Sequence, residues 1–229
     1  MKFNRYALYY VPPANSDWGA WATAWLGWDA AQGAEVAHPD VPGLPLPISD
    51  ITQTPRKYGL HATIKPPMRL ADGHSAEDLA DACATLCAGL NPVRLDGLAV
   101  EHLGRFLALR PQGDETALNA LAARCVEALD PFRAPPGAAE LERRRKSGLN
   151  AQQDANLLRW GYPFVMDQFR FHITLSGRLS QNDGITTKAA LDQHLSPLLP
   201  VPFDLSELAL AGEAEDGRFH VIHRYALSG

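Results

Sequence analysis

The chain has 229 residues, 46% of them hydrophobic and 21% charged, enough for a sizeable buried core. A formal net charge of −5 excludes a broad basic surface for duplex nucleic acid, though it leaves room for a local cationic cleft. No apolar run approaches the roughly 20 residues that cross a bilayer, and the odd cysteine count (Cys83, Cys87, Cys125) fits a reducing compartment better than a disulfide framework.

The opening MKFNRYALYYVPP carries Arg5, Tyr6 and two prolines where the apolar part of a signal would sit, so a cytoplasmic protein without a leader is expected. RYALYYV (5–11) reads as a strand. Ser16 or Asn15 then caps a helix with Trp18, Trp21, Ala22 and Trp25 spaced three and four apart. A proline-rich loop (39–55) leads to a short strand, HATIK (61–65). Ser75 opens a second helix whose stripe is Leu79, Ala82, Cys83 and Leu86. VRLDGLAV (93–100) reads as a further strand. Cys83 and Cys87 share a helix face, and with no second cysteine pair to complete a metal site they are expected in the core.

The second half repeats this order. FLALRP (106–111) is a strand and 117–129 a helix. After a longer insertion (131–168) come the strand FHITL (171–175), a helix around 186–195 and the strand FDLSELAL (203–210). Phe106 follows His61 by 45 residues and Phe219 follows His172 by 47, which fixes the register of the repeat. Two copies of strand–helix–strand–helix–strand, without the uniform alternation of a parallel sheet, predict an α+β fold with pseudo-twofold symmetry. The expectation is one two-lobed domain over 1–229, with a first lobe of about 1–103 and a second of about 104–229. Each lobe is an antiparallel sheet with helices on its outer face, and the two sheets face one another across a cleft.

The same strand in each half carries histidine, any residue, then threonine: His61-Ala62-Thr63 and His172-Ile173-Thr174. Side chains alternate along a strand, so each pair shares a polar face while Ala62, Ile64, Ile173 and Leu175 share an apolar one. Two imidazoles and two hydroxyls converging on one cleft suit phosphodiester cleavage without a metal. One imidazole activates the attacking oxygen, the other protonates the leaving oxygen, and the hydroxyls donate to the non-bridging oxygens.

In these motifs the chain resembles the two-histidine phosphoesterase superfamily, whose signature is a pair of H-x-[ST]-hydrophobic motifs. It is similar to the DUF1045-like branch found with phosphonate-utilisation genes. The segments RYALYYVPP, YGLHATIKPP, RRRKSGLNAQQ, WGYPFVMDQFRFHITLSGRL and FHVIHRYAL carry the likeness over almost the whole chain. The resemblance implies catalysis by His61, Thr63, His172 and Thr174, on cyclic phosphodiesters or on 2′,5′- or 3′,5′-linked nucleotide ends.

Further phosphate contacts are expected from Lys65 and Arg170, each two residues from a motif position, against a bland reading as strand-end charges. Ser176 extends the polar face of Thr174. Tyr58 has the opposite parity to His61, and Tyr6 with Tyr10 pack in the core or stack on a base. The run Arg143-Arg144-Arg145-Lys146 ends a helix in the insertion. The reading with function is a lid in which Arg143 and Arg144 clamp substrate phosphate and Tyr162 forms a wall. His220 and His223, three apart on a strand, point to opposite faces. With no P-loop, dinucleotide glycine motif, HExxH or CxxC, no cofactor and no metal are expected.

The resulting expectation is a metal-independent phosphoric diester hydrolase acting on a small cyclic or short-chain phosphodiester, a nucleotide or RNA end among the candidates, with no membrane or duplex nucleic-acid partner. The competing readings are a non-catalytic phospho-ligand-binding module using the same cleft, and metal-dependent hydrolysis with the histidines as ligands.

Overall fold

Side-chain caps set the start of three helices of this chain. The structure, a computed structural model, describes residues 2–229. Its first repeat unit comprises β1 (Arg5–Tyr10), α1 (Asp17–Leu26), the small hairpin β2 (Trp28–Asp29) and β3 (Ala34–Glu35), the one-turn helices α2 (Ile48–Ile51) and α3 (Gln53–Arg56), β4 (Ala62–Met68), α4 (Ala76–Ala88), β5 (Val93–Leu95) and β6 (Gly97–Leu103). The second comprises β7 (Phe106–Gln112), α5 (Thr116–Ala128), α6 (Ala138–Arg145), α7 (Ala151–Trp160), β8 (Ile173–Thr174), α8 (Gln181–His194), β9 (Phe203–Leu205) and β10 (Glu207–Glu213), followed by an extra strand, β11 (Phe219–Ala226).

Ser75 and Asp78 form a capping box on α4, and Asn150 and Gln153 form another on α7. Ser180 accepts from the Asp183 N–H at the start of α8. Gly27 and Gly161, both left-handed, close α1 and α7. Ser16 precedes α1 as expected, but its hydroxyl donates to Pro13 O (2.8 Å) instead of capping the helix.

Seven strands form one antiparallel sheet in the order β11-β10-β1-β4-β8-β7-β6. The antiparallel α+β architecture is as expected, and so is the twofold relation: β10-β1-β4 on one side of the β4–β8 seam mirrors β6-β7-β8 on the other. Two details of the expected arrangement are corrected. The half-sheets are joined edge to edge through the Ala62–Ile173 pair, so the cleft lies over one continuous sheet and not between two separate ones. The boundary near residue 103 also fails to divide the sheet, because the units exchange their closing strands. β6 pairs with β7 of the second unit, while β10 pairs with β1 of the first. Each expected closing strand breaks at the same repeat position, Asp96 and Ser206, and the short pieces before the breaks, β5 and β9, pair with each other. Arg94 opposes Asp204 there at 2.7 Å.

Leu8, Tyr10, Ile64, Leu107, Leu109 and Ile173 pack from one sheet face against Leu79, Cys83, Leu118 and Cys125 of the helices in the main core. All three cysteines are free and buried, and burial pushes the Cys83 and Cys87 thiols up to about 12 and about 11. They are packing residues, as their spacing suggested. No helix among the described residues is long and apolar enough to cross a membrane.

Candidate functional site

The face of the sheet away from the core carries the polar motif residues, and strand pairing fixes their arrangement. Ala62 pairs with Ile173 across the seam, so one step along either antiparallel strand sets His61 opposite Thr174 and Thr63 opposite His172. The flanking strands extend these rows: Tyr9 pairs with Thr63, and Ala108 pairs with Thr174. Continuing the β7–β8 register by two residues brings Arg110 opposite His172. The two imidazoles are thus diagonal neighbours, a relation that separates side chains by about 7–8 Å on a regular sheet, and each has a threonine beside it.

Both rings are held in the same way. His61 Nδ1 lies 2.9 Å from Gly59 O and His172 Nδ1 lies 2.8 Å from Arg170 O, each the carbonyl two residues earlier. A carbonyl only accepts, so Nδ1 carries the hydrogen and donates in both rings, and Nε2 is left as the nitrogen able to take up a proton in each. The His61 ring packs on Tyr9 with centroids 4.1 Å apart, and His172 lies 5.9 Å from Phe106.

Burial lowers the pKa of His61 to about 4, with the charge of His172 adding to the effect and the Gly59 hydrogen bond opposing it. His172 is lowered too, first by burial and then by the Arg110 guanidinium, against the Arg170 carbonyl. Arg110 itself donates to Phe171 O and to Glu115, tying down the chain that leads into His172.

A cavity of about 510 Å³ sits over this face. His61, Thr63 and Thr174 line it; His172 is not among the lining residues, and its ring lies 5.9 Å from that of Phe106, which is one of them. Arg143, Arg144 and Tyr162 of the insertion line the same space. Arg144 lies 4.8 Å over the Tyr162 ring and is paired with Glu140 at 2.9 Å. Arg145 and Lys146 pair instead with Asp154 and Glu142.

Two expected contacts are corrected. Lys65 is buried on the helix side, where its Nζ donates to Val126 O (3.0 Å) and lies 3.8 Å from Asp130. The β1–β4 register slips by one residue between Thr63 and Lys65, a bulge that turns Ile64 and Lys65 to the same side and breaks the parity. Arg170 is exposed and is not among the lining residues, because β8 starts only at Ile173 and strand alternation does not reach back to it. Its carbonyl, not its guanidinium, serves the site. Replacing Lys65 by Met is therefore expected to lower stability by about 1–3 kcal/mol, the scale of a buried polar partner left unpaired. It should leave kcat/KM unchanged on any substrate that the parent cleaves, which denaturant melts and kinetics on one preparation would show.

Ser176 lines the cavity but is committed to the backbone: its hydroxyl accepts from the Leu107 N–H and donates to Gly177 O. Tyr6 and Tyr10 are core residues. Besides Tyr162, the tyrosines facing the site are Tyr9 and Tyr58, joined there by Arg5 and Arg178. Arg5, Ala7 and Tyr9 share one parity in RYALYY, so the charged residue marked the polar face. Arg110 is likewise signalled by the alternation of Phe106, Ala108 and Arg110.

A family model described as "Protein of unknown function (DUF1045)" matches residues 63–220, a segment that holds Thr63, His172 and Thr174 and begins two residues after His61. The chain is 38% identical over 218 residues to a ribose 1,5-bisphosphate phosphokinase PhnN of Janthinobacterium sp. (strain Marseille), covering 93% of this chain and 48% of that protein. It is 34% identical over 213 residues to the protein of the same name from Laribacter hongkongensis, covering 93% and 49%. The chain thus spans about half the length of the curated relatives it matches. Among solved structures, TT0787 of Thermus thermophilus aligns at TM-score 0.46 and 16% identity over 98% of each chain. E. coli LigT complexed with 3′-AMP aligns at 0.45 and 16% over 100% of each.

Proposed function

The chain belongs to the DUF1045 family, and from that premise and the geometry of the site we propose that it is a metal-independent phosphoesterase opening a cyclic or short-chain phosphodiester. The observation that carries this reading is the paired tether: both imidazoles give Nδ1–H to the carbonyl two residues before them, on adjacent strands of one sheet. That arrangement leaves two Nε2 atoms beside two hydroxyls, the inventory needed for proton transfer on both sides of a phosphorus.

His61, the more strongly lowered of the two, is neutral and takes a proton from the attacking water. His172 gives its proton to the departing oxygen. A bond forms between phosphorus and the water oxygen, the bond to the leaving oxygen breaks, and a phosphomonoester and a free hydroxyl result. Solvent then takes the proton from His61 and supplies one to His172, restoring the starting pair. Thr63 and Thr174 donate to the non-bridging oxygens as charge builds on them. Arginines at the cavity supply the positive field that a net-acidic chain otherwise lacks.

The relatives' name describes phosphorylation of ribose 1,5-bisphosphate, yet this chain matches only about half of each and has no GxxxxGK[ST] loop. We assign the phosphokinase to the part of those proteins that this chain does not match, and a phosphodiester of ribose to this part. A screen of the purified chain against cyclic nucleotides, cyclic sugar phosphates and 2′,5′- and 3′,5′-linked dinucleotides tests the reading. Turnover of at least one class is expected to survive thorough EDTA treatment. Loss of turnover restored by zinc or manganese would replace the mechanism with a metal-dependent one. Tight binding without turnover would make the cleft a phospho-ligand module.

A further inference from the structure

The cavity holds more arginines than one phosphodiester needs. Arg5, Arg143, Arg144 and Arg178 line it and no aspartate or glutamate does, in a chain whose formal net charge is −5. Arg5 and Arg144 have carboxylate partners outside the lining, Glu213 and Glu140, whereas Arg143 and Arg178 have none among the described residues. A phosphodiester carries a single negative charge, already met by two hydroxyls and a protonated imidazole. The insertion's arginines are therefore cations in addition to what the His–Thr quartet supplies. Arg144 is also held in place, spread over Tyr162 and braced by Glu140, as a preorganised anion contact is rather than a solvated surface charge.

A second observation lies beneath the insertion. The Tyr9 side chain is 1% exposed and lines the cavity, and its hydroxyl has no hydrogen-bond partner. That hydroxyl is within electrostatic reach of Tyr58, Arg5, the Glu213 carboxylate that Arg5 pairs with, and Tyr162. A buried hydroxyl left without a partner is destabilising, and its retention at the wall of a cavity marks a place where a ligand oxygen completes it.

We infer that the cavity contains a second anion subsite, built by Arg143, Arg144 and Tyr162 over Arg5 and Tyr9, that takes a terminal phosphate of the same substrate. The substrate class narrows accordingly to cyclic or short-chain phosphodiesters that also carry a phosphomonoester, and the product to a bisphosphate. This rests on the phosphoesterase reading for the seat of the first phosphate. The cavity, about 510 Å³, is within the size range of sites for ligands well beyond a lone phosphate.

Binding separates the subsite from catalysis. Calorimetric titrations would compare ribulose 1,5-bisphosphate with ribulose 5-phosphate, and adenosine 2′,5′-bisphosphate with adenosine 2′-monophosphate. In at least one pair the bisphosphate is expected to bind at least about tenfold tighter, the scale of one added charge-assisted contact set. The Arg143→Gln/Arg144→Gln double variant, altered on a helix with no buried residue, should bring that ratio close to one, and Tyr9→Phe should lower it without lowering Tm. Equal affinities within both pairs, no binding of either bisphosphate, or a preference untouched in these variants would overturn the subsite. Loss of the hydrolytic reading looks different: a bisphosphate preference that persists in a protein that cleaves nothing. Cleavage of a cyclic phosphodiester with equal affinities within both pairs would remove the subsite alone.

Discussion

Replacing His61 or His172 by alanine is expected to lower kcat by at least about 10²-fold on any substrate the parent cleaves, the usual scale for losing a general acid or base. Both rings present Nε2 from a backbone-tethered Nδ1, so alanine removes the proton-transfer group and leaves the supporting carbonyl behind. The double variant should be far less than additively worse, because a base without its acid already stalls the displacement. Thr63→Ala and Thr174→Ala should lose about 10-fold to 10³-fold, as for one donor to a developing oxyanion. Single-turnover kinetics on protein checked by circular dichroism would measure this, with His61→Ala also losing the ring packed 4.1 Å from Tyr9. A folded His172→Ala protein with near-parental turnover would make the second motif structural and end the pairing of the two halves.

How much of this was legible in the chain depends on the kind of information each feature uses. Period-two alternation is local, so His61 with Thr63 and His172 with Thr174 were assigned to one face from sequence, and the repeat placed them at matching points. Strand partnership is not local. Nothing in GLAVEHL or ELALAGE says that each closing strand pairs with the other unit, and the exchange of β6 and β10 emerges only in the folded sheet. Lys65 was misplaced because a bulge adds a residue without leaving a mark on polarity. The adjoining Pro66-Pro67, which lacks two backbone donors, is the sequence's one sign that the ladder is irregular there. Tyr9 was missed because RYALYY is aromatic on both faces, so aromaticity cannot choose between them, and only Arg5 breaks the tie. Arg143, Arg144 and Tyr162, which line the cavity, were singled out through chain position instead: a helix-ending basic run inside the one segment without a counterpart in the repeat.

The pH dependence should carry the imprint of burial. The base must be neutral, and burial sets His61 at about 4, so kcat/KM is lost as pH falls through that value. The acid must be protonated, and burial with Arg110 places His172 below the ordinary imidazole value of about 6.5, so kcat/KM is lost again as pH rises past it. The expected profile is a bell with its maximum in the mildly acid range, and coupling between the two rings displaces both limbs from the single-residue values. A bound phosphodiester adds negative charge beside both rings and favours their charged forms, so the kcat bell should sit at higher pH than that of kcat/KM. Stability offers an independent readout. A folded-state imidazole with a lowered pKa contributes stability that is present above the unfolded value of about 6.5 and lost as pH falls through the folded value. Denaturant melts should therefore weaken between about pH 6.5 and 4 by roughly 2–3 kcal/mol from His61, allowing for its remaining solvent contact. His61→Gln should flatten that slope, and saturating phosphate should oppose it, because a bound anion favours the protonated rings. A kcat/KM that climbs steadily through pH 8, with a stability curve indifferent to His61→Gln, would mean that burial does not set these two nitrogens and that the roles assigned to them are wrong.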